Sequence, residues 1–338
     1  MKKLEFKIID ENMGAQYHHY LLGIILQNEN NWKFVFNNYM RILVKHYANC
    51  HGDFCFDGIY SVNHNILQEM IIRGPVEEFH NIVKKCIDHE LYVVLNINEQ
   101  MLPYRRAYNQ YYFRHDIIIY GYDEGKREYI TAGFNEEMKY CEQIFTFKEI
   151  EKAYYSMKNE WDYEFFLFSY NEKYVAELDL ERIKKELKYY VKGENANDLE
   201  LDALFAKRND TYYVNNSYNG YYGIEVYTYL IEQIKKQITI FNKQTGVCVN
   251  DLRTLNVLKS HISIIKKFTE DYIYNVDFKI RTCSEIEDII KDLHMISALF
   301  MRCGERGNVK AAKKIINLLQ KCKKKEEVLI NGLIEEVI

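Results

Sequence analysis

Proline and unbalanced charge are scarce in this sequence. Its 338 residues include 2 Pro and 15 Gly, and 45 Lys and Arg nearly balance 49 Asp and Glu. So little Pro and Gly excludes a collagen-like or low-complexity chain, and the near-neutral charge argues against a general nucleic-acid binder. No run approaches the roughly 18 uninterrupted apolar residues of a membrane span. We therefore expect a folded protein that binds neither nucleic acid nor membrane.

The sequence also contains no CxxC pair, and we expect no secretory leader. The eight cysteines are scattered, and the first twelve residues carry three lysines but no apolar run. Scattered thiols without a signal are typical of a reduced, cytoplasmic protein. Cys50, His51 and Cys55 could form a metal cluster, but without a partner cluster this is a weak pattern. We expect no metal and no other cofactor.

Hydrophobic periodicity changes character near residue 172. The earlier part mixes helical patterns with apolar, β-branched runs that predict an antiparallel sheet, whereas the later part reads as helix nearly throughout. The sequence therefore predicts an α+β domain at 1–172 and a mainly helical domain at 173–338 packed on it. Predicted strands are 3–9, 91–97, 116–122, 128–132 and 163–169; predicted helices are 15–27, 32–47, 75–89, 147–157, 179–192, 222–242, 250–275, 283–302 and 307–336; residues 50–62 and 193–220 are irregular.

One hairpin places a histidine where it could do chemistry. His115 begins a predicted strand, and the returning strand ends at Asn135. The hairpin brings Asn135 towards His115, where its amide could accept the Nδ1–H and select the tautomer. Cysteine enzymes of this geometry carry the thiol at the N-terminus of a buried helix, where the dipole lowers its pKa. The corresponding position here is Ala15. The alternative to a catalytic His115 is a histidine with a purely structural role.

The order and spacing of several segments suggest a family. The segments are 90–95, 102–103, 115–123, 130–135, 145–154, 221–224 and 251–258. Together they resemble the papain-like acyltransferases related to butirosin biosynthesis protein H, which occur in peptide-antibiotic gene clusters. Amide synthetases of the closthioamide type are among such proteins. The resemblance implies a papain-like fold of the cysteine-protease/transglutaminase type, followed by a helical C-terminal region.

The resemblance also implies a Cys-His-Asn/Asp triad at Ala15, His115 and Asn135. A thiolate would take an acyl or peptidyl group from the phosphopantetheine thioester of a carrier protein and pass it to a small amine as an amide. Because Ala15 has no thiol, either the chain naturally lacks the nucleophile or a native cysteine was replaced by alanine. Cys50 or Cys55 could be the nucleophile instead, without the helix dipole.

Other interpretations stay open at this point. A catalytically dead papain-like protein could bind a natural product or a carrier protein, and a cysteine peptidase or thioesterase would share every step except the acceptor. His18 and His19 could line the cleft or be buried structural residues. The tyrosine-rich run 104–112 could form an aromatic groove or pack on the sheet. Seven lysines could meet an acidic carrier protein or be a solvated helix face: Lys310, Lys313, Lys314, Lys321, Lys323, Lys324 and Lys325.

Overall fold

The computed structural model describes residues 1–9, 16–45, 53–56, 66–194, 220–241, 253–306 and 309–336. The chain divides into two compact units. The first unit comprises Met1–Trp32 and Tyr60–Ala176, and the second comprises Lys33–Ile59 and Glu177–Ile338. The segment Lys33–Ile59 thus belongs to the second unit, although the sequence places it in the domain at 1–172.

The described strands and helices are given in chain order. They are β1 Lys2–Lys3, α1 Gln16–Ile25, α2 Trp32–Asn38, β2 Ile42–Lys45, β3 Asp53–Phe56, β4 Leu67–Arg73, α3 Phe79–Asp88, β5 Leu91–Asn98, β6 Arg114–Asp123, β7 Glu128–Phe134, β8 Tyr140–Thr146, α4 Phe147–Tyr155, β9 Glu164–Tyr170, α5 Leu180–Lys192, β10 Gly220–Tyr222, α6 Val226–Phe241, α7 Arg253–Tyr272, α8 Val276–Arg306 and α9 Val309–Glu336.

The first unit is built on an antiparallel sheet, as the sequence predicts. Its strands run in the order β4-β9-β5-β6-β7-β8, and β1 pairs with the end of β6. The central strands β5 and β6 are apolar and buried along most of their length. A bulge between Ile119 and Gly121 interrupts the pairing of β6 with β7. Position 121 requires glycine, because a Cβ there would lie 2.9 Å from the Lys2 carbonyl oxygen.

Three helices of the first unit contribute to its core. Phe79 of α3 packs on Tyr154 of α4 and on Phe165 of β9, with ring centroids 4.8 and 5.8 Å apart. Helix α4 begins with a capping box between Thr146 and Glu149, which satisfies backbone donors at its first turn. Helix α1 is buried on nearly all sides. These contacts hold α3 and α4 against the sheet.

Several predicted boundaries in the first two hundred residues are wrong. Residues 4–9 are not strand, and strands β4 and β8 were not predicted. The predicted helix 32–47 ends at Asn38, because Ile42–Lys45 pairs instead with Asp53–Phe56 and Gly220–Tyr222 as a separate three-stranded sheet. Helix α3 begins four residues after Pro75, not at it.

The second unit is mainly helical, and the prediction of a helical C-terminal region is confirmed. Beyond Tyr222, every regular element of the described ranges is a helix. At its centre the buried Glu326 carboxylate accepts hydrogen bonds from Tyr190 and Tyr227, each at 2.6 Å. His261 lies 3.2 Å from the same carboxylate. Across the described helices of both units, none combines the length and apolarity needed to cross a membrane.

Candidate functional site

His115 stands at the start of β6, opposite Ile97 of β5. Directly after β5 the chain makes a short 3-10 turn that begins at Glu99. The Asn98 side chain fixes this turn by accepting the backbone N–H groups of Gln100 and Phe113. The turn therefore delivers the Glu99 carboxylate to the imidazole, whose Nδ1 lies 3.0 Å from Glu99 Oε1.

The Glu99 contact selects the tautomer of His115. An ionised carboxylate can only accept hydrogen bonds, so Nδ1 carries the proton that it donates to Glu99. The neutral ring then presents Nε2 as a proton acceptor. About 30% of the His115 side chain is exposed, so the ring is accessible to a reactant. This is the arrangement of a general base oriented by a carboxylate.

Three charged groups surround His115 and set its pKa. Burial lowers the pKa of His115, but the hydrogen bond to Glu99 and the charges of Asp116 and Glu99 outweigh it. The pKa of His115 therefore lies above its ordinary value, and the positive charge of Arg105 limits the increase. Asp116 Oδ1 is 3.7 Å from Nε2, so the imidazolium form has a carboxylate on each side.

Arg105 is buried beside the same carboxylate. Its Nη1 donates to the Phe134 carbonyl oxygen at 2.7 Å and lies 3.4 Å from Glu99 Oε1. Glu99 and Arg105 are both almost fully buried, at 5% and 2% exposure. A buried ion pair keeps its charges only with such mutual neutralisation. The site is thus a chain of three groups: guanidinium, carboxylate and imidazole.

Asn135 does not take the role that the sequence predicts for it. Its Oδ1 accepts the backbone N–H groups of Glu137 and Lys139, at 3.0 and 2.9 Å, and so closes the turn between β7 and β8. Glu99, and not Asn135, holds Nδ1 of His115. The contact expected from Asn135 is therefore made by the Glu99 carboxylate, from the turn that follows β5.

Gln16 explains how the two strands separate near His115. The last paired residues of β6 and β7 at this end are Ile118 and Ala132. Beyond them the Gln16 amide lies between the strands: its Nε2 donates to the Asp116 carbonyl oxygen at 2.6 Å, and its Oε1 accepts the Phe134 N–H at 3.0 Å. Gln16 is buried. One side chain at the start of α1 thus substitutes for ladder hydrogen bonds and keeps the strands apart.

The position expected to carry the nucleophile lies outside the described residues. Ala15 immediately precedes Gln16, and Cys50 lies in a second range that is not described. Cys55 belongs to β3 of the second unit. Cys86, Cys141, Cys283 and Cys322 are free thiols. Burial raises the pKa of all four, whereas a nucleophilic cysteine needs a lowered pKa.

Two other groups differ in burial: His18, and the pair formed by Tyr111 of the run 104–112 and Phe113, the residue after that run. His18 is fully buried, and burial, aided by the charge of His19, lowers the pKa of His18 to about 3. It is therefore neutral at physiological pH. By contrast, Tyr111 and Phe113 are 48% and 41% exposed. The ring centroids of Tyr111 and Phe113 are 6.2 Å apart, and the Phe113 centroid is 5.2 Å from that of the His115 imidazole.

The lysine-rich helix α9 is partly neutralised by its own unit. Lys321 and Lys325 lie 3.1 and 3.2 Å from Asp292 of α8. Lys323 donates to Glu225 at 2.8 Å. Three of the seven lysines therefore form ion pairs within the second unit.

Sequence reasoning missed Glu99 and Arg105. An acidic residue directly after a buried strand, with a histidine opening the next strand, is the signal that could have found Glu99. No protein-family model matches this chain, and no curated protein matches it either. Within the described ranges, no group of three or more His, Cys, Asp or Glu side chains could hold a metal ion.

Proposed function

We propose that the first unit is a papain-like acyl-transfer domain in which His115 is the general base. The observation that carries the proposal is the buried Glu99 carboxylate on Nδ1 of a partly exposed imidazole. Such a pair can take a proton from a nucleophile and return it to a leaving group. Glu99 replaces Asn135 as the residue that orients His115.

The position of α1 supports the papain-like fold. In that fold a helix carrying the nucleophile packs against an antiparallel sheet carrying the histidine. Here Gln16 at the start of α1 bonds to the carbonyl of Asp116, the residue after His115. The first described residue of α1 is therefore hydrogen-bonded to the strand that holds the base.

The reaction proposed for a cysteine at position 15 has two steps, acylation of the thiol and transfer of the acyl group to an amine. The thiol gives its proton to His115, and the sulfur attacks the carbonyl of an acyl or peptidyl carrier-protein thioester. The phosphopantetheine thiol leaves with that proton. A small amine, deprotonated by His115, then attacks the acyl-enzyme, so that an amide forms and the thiol is restored. The sequence as it stands, with Ala15, binds the thioester without forming the acyl-enzyme.

Ala15 itself favours a second function. A chain without the nucleophile would hold a carrier-protein thioester or a peptide natural product in the same cleft and catalyse nothing. Hydrolysis by a peptidase or thioesterase differs only in using water as the acceptor. Biosynthesis of peptide antibiotics, the setting that the sequence resemblance implies, is consistent with either the transfer or the binding function.

The deciding experiment restores the thiol. The Ala15→Cys variant is incubated with acyl N-acetylcysteamine thioesters, with and without a diamine. Intact-protein mass spectrometry detects the acyl-enzyme, and liquid chromatography detects the amide. We expect acylation in Ala15→Cys, and a decrease of roughly 10²–10⁴-fold when His115→Ala is added.

The matched control is His89→Ala, which removes an exposed histidine at the end of α3. It should leave the acylation rate unchanged. Acid appearing without amide would favour the hydrolase. If Ala15→Cys binds the thioester but never becomes acylated, the binding function replaces the transferase.

A further inference from the structure

The buried guanidinium of Arg105 lies next to the Glu99–His115 pair, and the proposed reaction gives it no role. Arg105 contributes no exposed side-chain surface, and its Nη1 lies 3.4 Å from the Glu99 oxygen that also accepts from His115. Glu99 is the one carboxylate within ion-pair distance of Arg105 among the described residues. Arg105 and His115 thus both approach the same oxygen atom of Glu99, Oε1.

Charge balance shows what this arrangement does. With Arg105 present, an ionised Glu99 and a neutral His115 add up to no net buried charge. Without Arg105, the same state would leave one uncompensated negative charge, which a low-dielectric interior strongly disfavours. His115 would then retain a proton to neutralise Glu99. The guanidinium thus favours the neutral imidazole, the only form that can act as a base.

The position of the Arg105 guanidinium depends on glycine at residue 133. A Cβ on Gly133 would lie 2.4 Å from Nη2, 2.5 Å from Nη1 and 2.8 Å from Cζ of Arg105. These distances are shorter than any ordinary contact, so a larger residue at 133 would displace the guanidinium. The Phe134 carbonyl, which accepts from Nη1 at 2.7 Å, fixes the other side.

We propose that Arg105 is a positioning residue that supplies the counter-charge for Glu99, so that His115 can be neutral while Glu99 is ionised, and that Gly133 makes room for it. The other charged group at the imidazole is Asp116 on β6, 3.7 Å from Nε2. Asp116 favours the imidazolium and so makes the opposing charge of Arg105 more necessary. The inference serves the proposed function, but its test is read without any substrate.

The test is an NMR pH titration of the full chain. Histidine ring resonances are followed by multiple-bond ¹H–¹⁵N correlation, and His115 is assigned by the peak lost in His115→Gln. We expect Arg105→Gln to move the His115 midpoint up by about one pH unit, the low end for loss of a nearby charge. Gly133→Ala should move it in the same direction, whereas Arg105→Lys should keep it closer to that of the unsubstituted chain.

Arg106→Gln is the matched control, because Arg106 is the exposed neighbour of Arg105 in the sequence. It should leave the His115 midpoint unchanged. Gly133→Ala decides the question if Arg105→Gln does not fold. An unchanged or lowered midpoint in a folded Arg105→Gln or Gly133→Ala chain would overturn the proposal. A failed acyl-transfer assay with the expected titration would overturn only the proposed function.

Discussion

Replacing Glu99 by Gln isolates the interaction that organises the candidate site. The substitution keeps the size of the side chain but removes the charge that accepts from Nδ1 of His115 at 3.0 Å. The charge of Glu99, which raises the His115 pKa, is then lost, and the Gln amide oxygen can offer Nδ1 only the weaker hydrogen bond of a neutral acceptor. Burial and Arg105, which both lower it, remain. We therefore expect the His115 pKa to fall, in the direction opposite to that of Arg105→Gln.

The size of the effect follows from the distances. An opposite charge within about 4–6 Å shifts a pKa by roughly 1–3 units, and each unit corresponds to about 1.4 kcal/mol. The same substitution leaves Arg105 buried without its carboxylate. Breaking a buried pair in this way destabilises a protein by about 3–5 kcal/mol.

Two assays separate these effects. NMR titration measures the His115 midpoint, and urea unfolding at several pH values measures stability. Because the folded pKa of His115 is raised, its contribution to stability is complete below the unfolded pKa and disappears as pH rises through the folded pKa. The stability difference between the unsubstituted chain and Glu99→Gln should therefore be larger at pH 5.5 than at pH 8.5. An unchanged His115 midpoint in folded Glu99→Gln would refute the assignment of Glu99 as its partner.

Three further substitutions test the packing around the site and in the second unit. Gln16→Leu leaves the Phe134 N–H and the Asp116 carbonyl without their partner, and should lower the free energy of unfolding by about 2–4 kcal/mol and speed hydrogen exchange at the Phe134 amide; unchanged exchange would contradict this. Tyr227→Phe removes a buried hydrogen bond to a carboxylate and should reduce stability by about 1.5–3 kcal/mol in urea, whereas Tyr274→Phe, at an 89% exposed ring, should have no effect. Gly223 and Gly74 both have positive φ, but only at Gly223 would a Cβ meet the backbone, 2.1 Å from the Tyr190 carbonyl oxygen. Gly223→Ala should therefore lower the thermal unfolding midpoint far more than Gly74→Ala.

Local pattern predicted the parts of the fold whose signals are local. The apolar, β-branched run of β5 and the paired runs of β6 and β7 identify strands by their own composition. Periodicity predicts the existence of helices α5 to α9, although α8 begins at Val276 and not at the predicted residue 283. The polar Asp179 before α5 and Gly193 after it mark the ends of that helix. Ile42–Lys45 shows where this fails. Its apolar run fits a helix or a strand, and pairing with the nearby Asp53–Phe56 and the distant Gly220–Tyr222 decided the outcome.

The candidate base illustrates the same division between local and distant information. The sequence by itself determined that His115 opens a strand, because a polar residue precedes a long apolar run. Only the tertiary structure decided its partner. Continuing the register of the hairpin would set His115 opposite Asn135, yet Gln16, a hundred residues away, separates the strands there. The partner comes from β5 instead, because the turn after that strand carries Glu99 to the imidazole. Such contacts depend on strand order and on side chains brought together from distant positions, and no local periodicity encodes them.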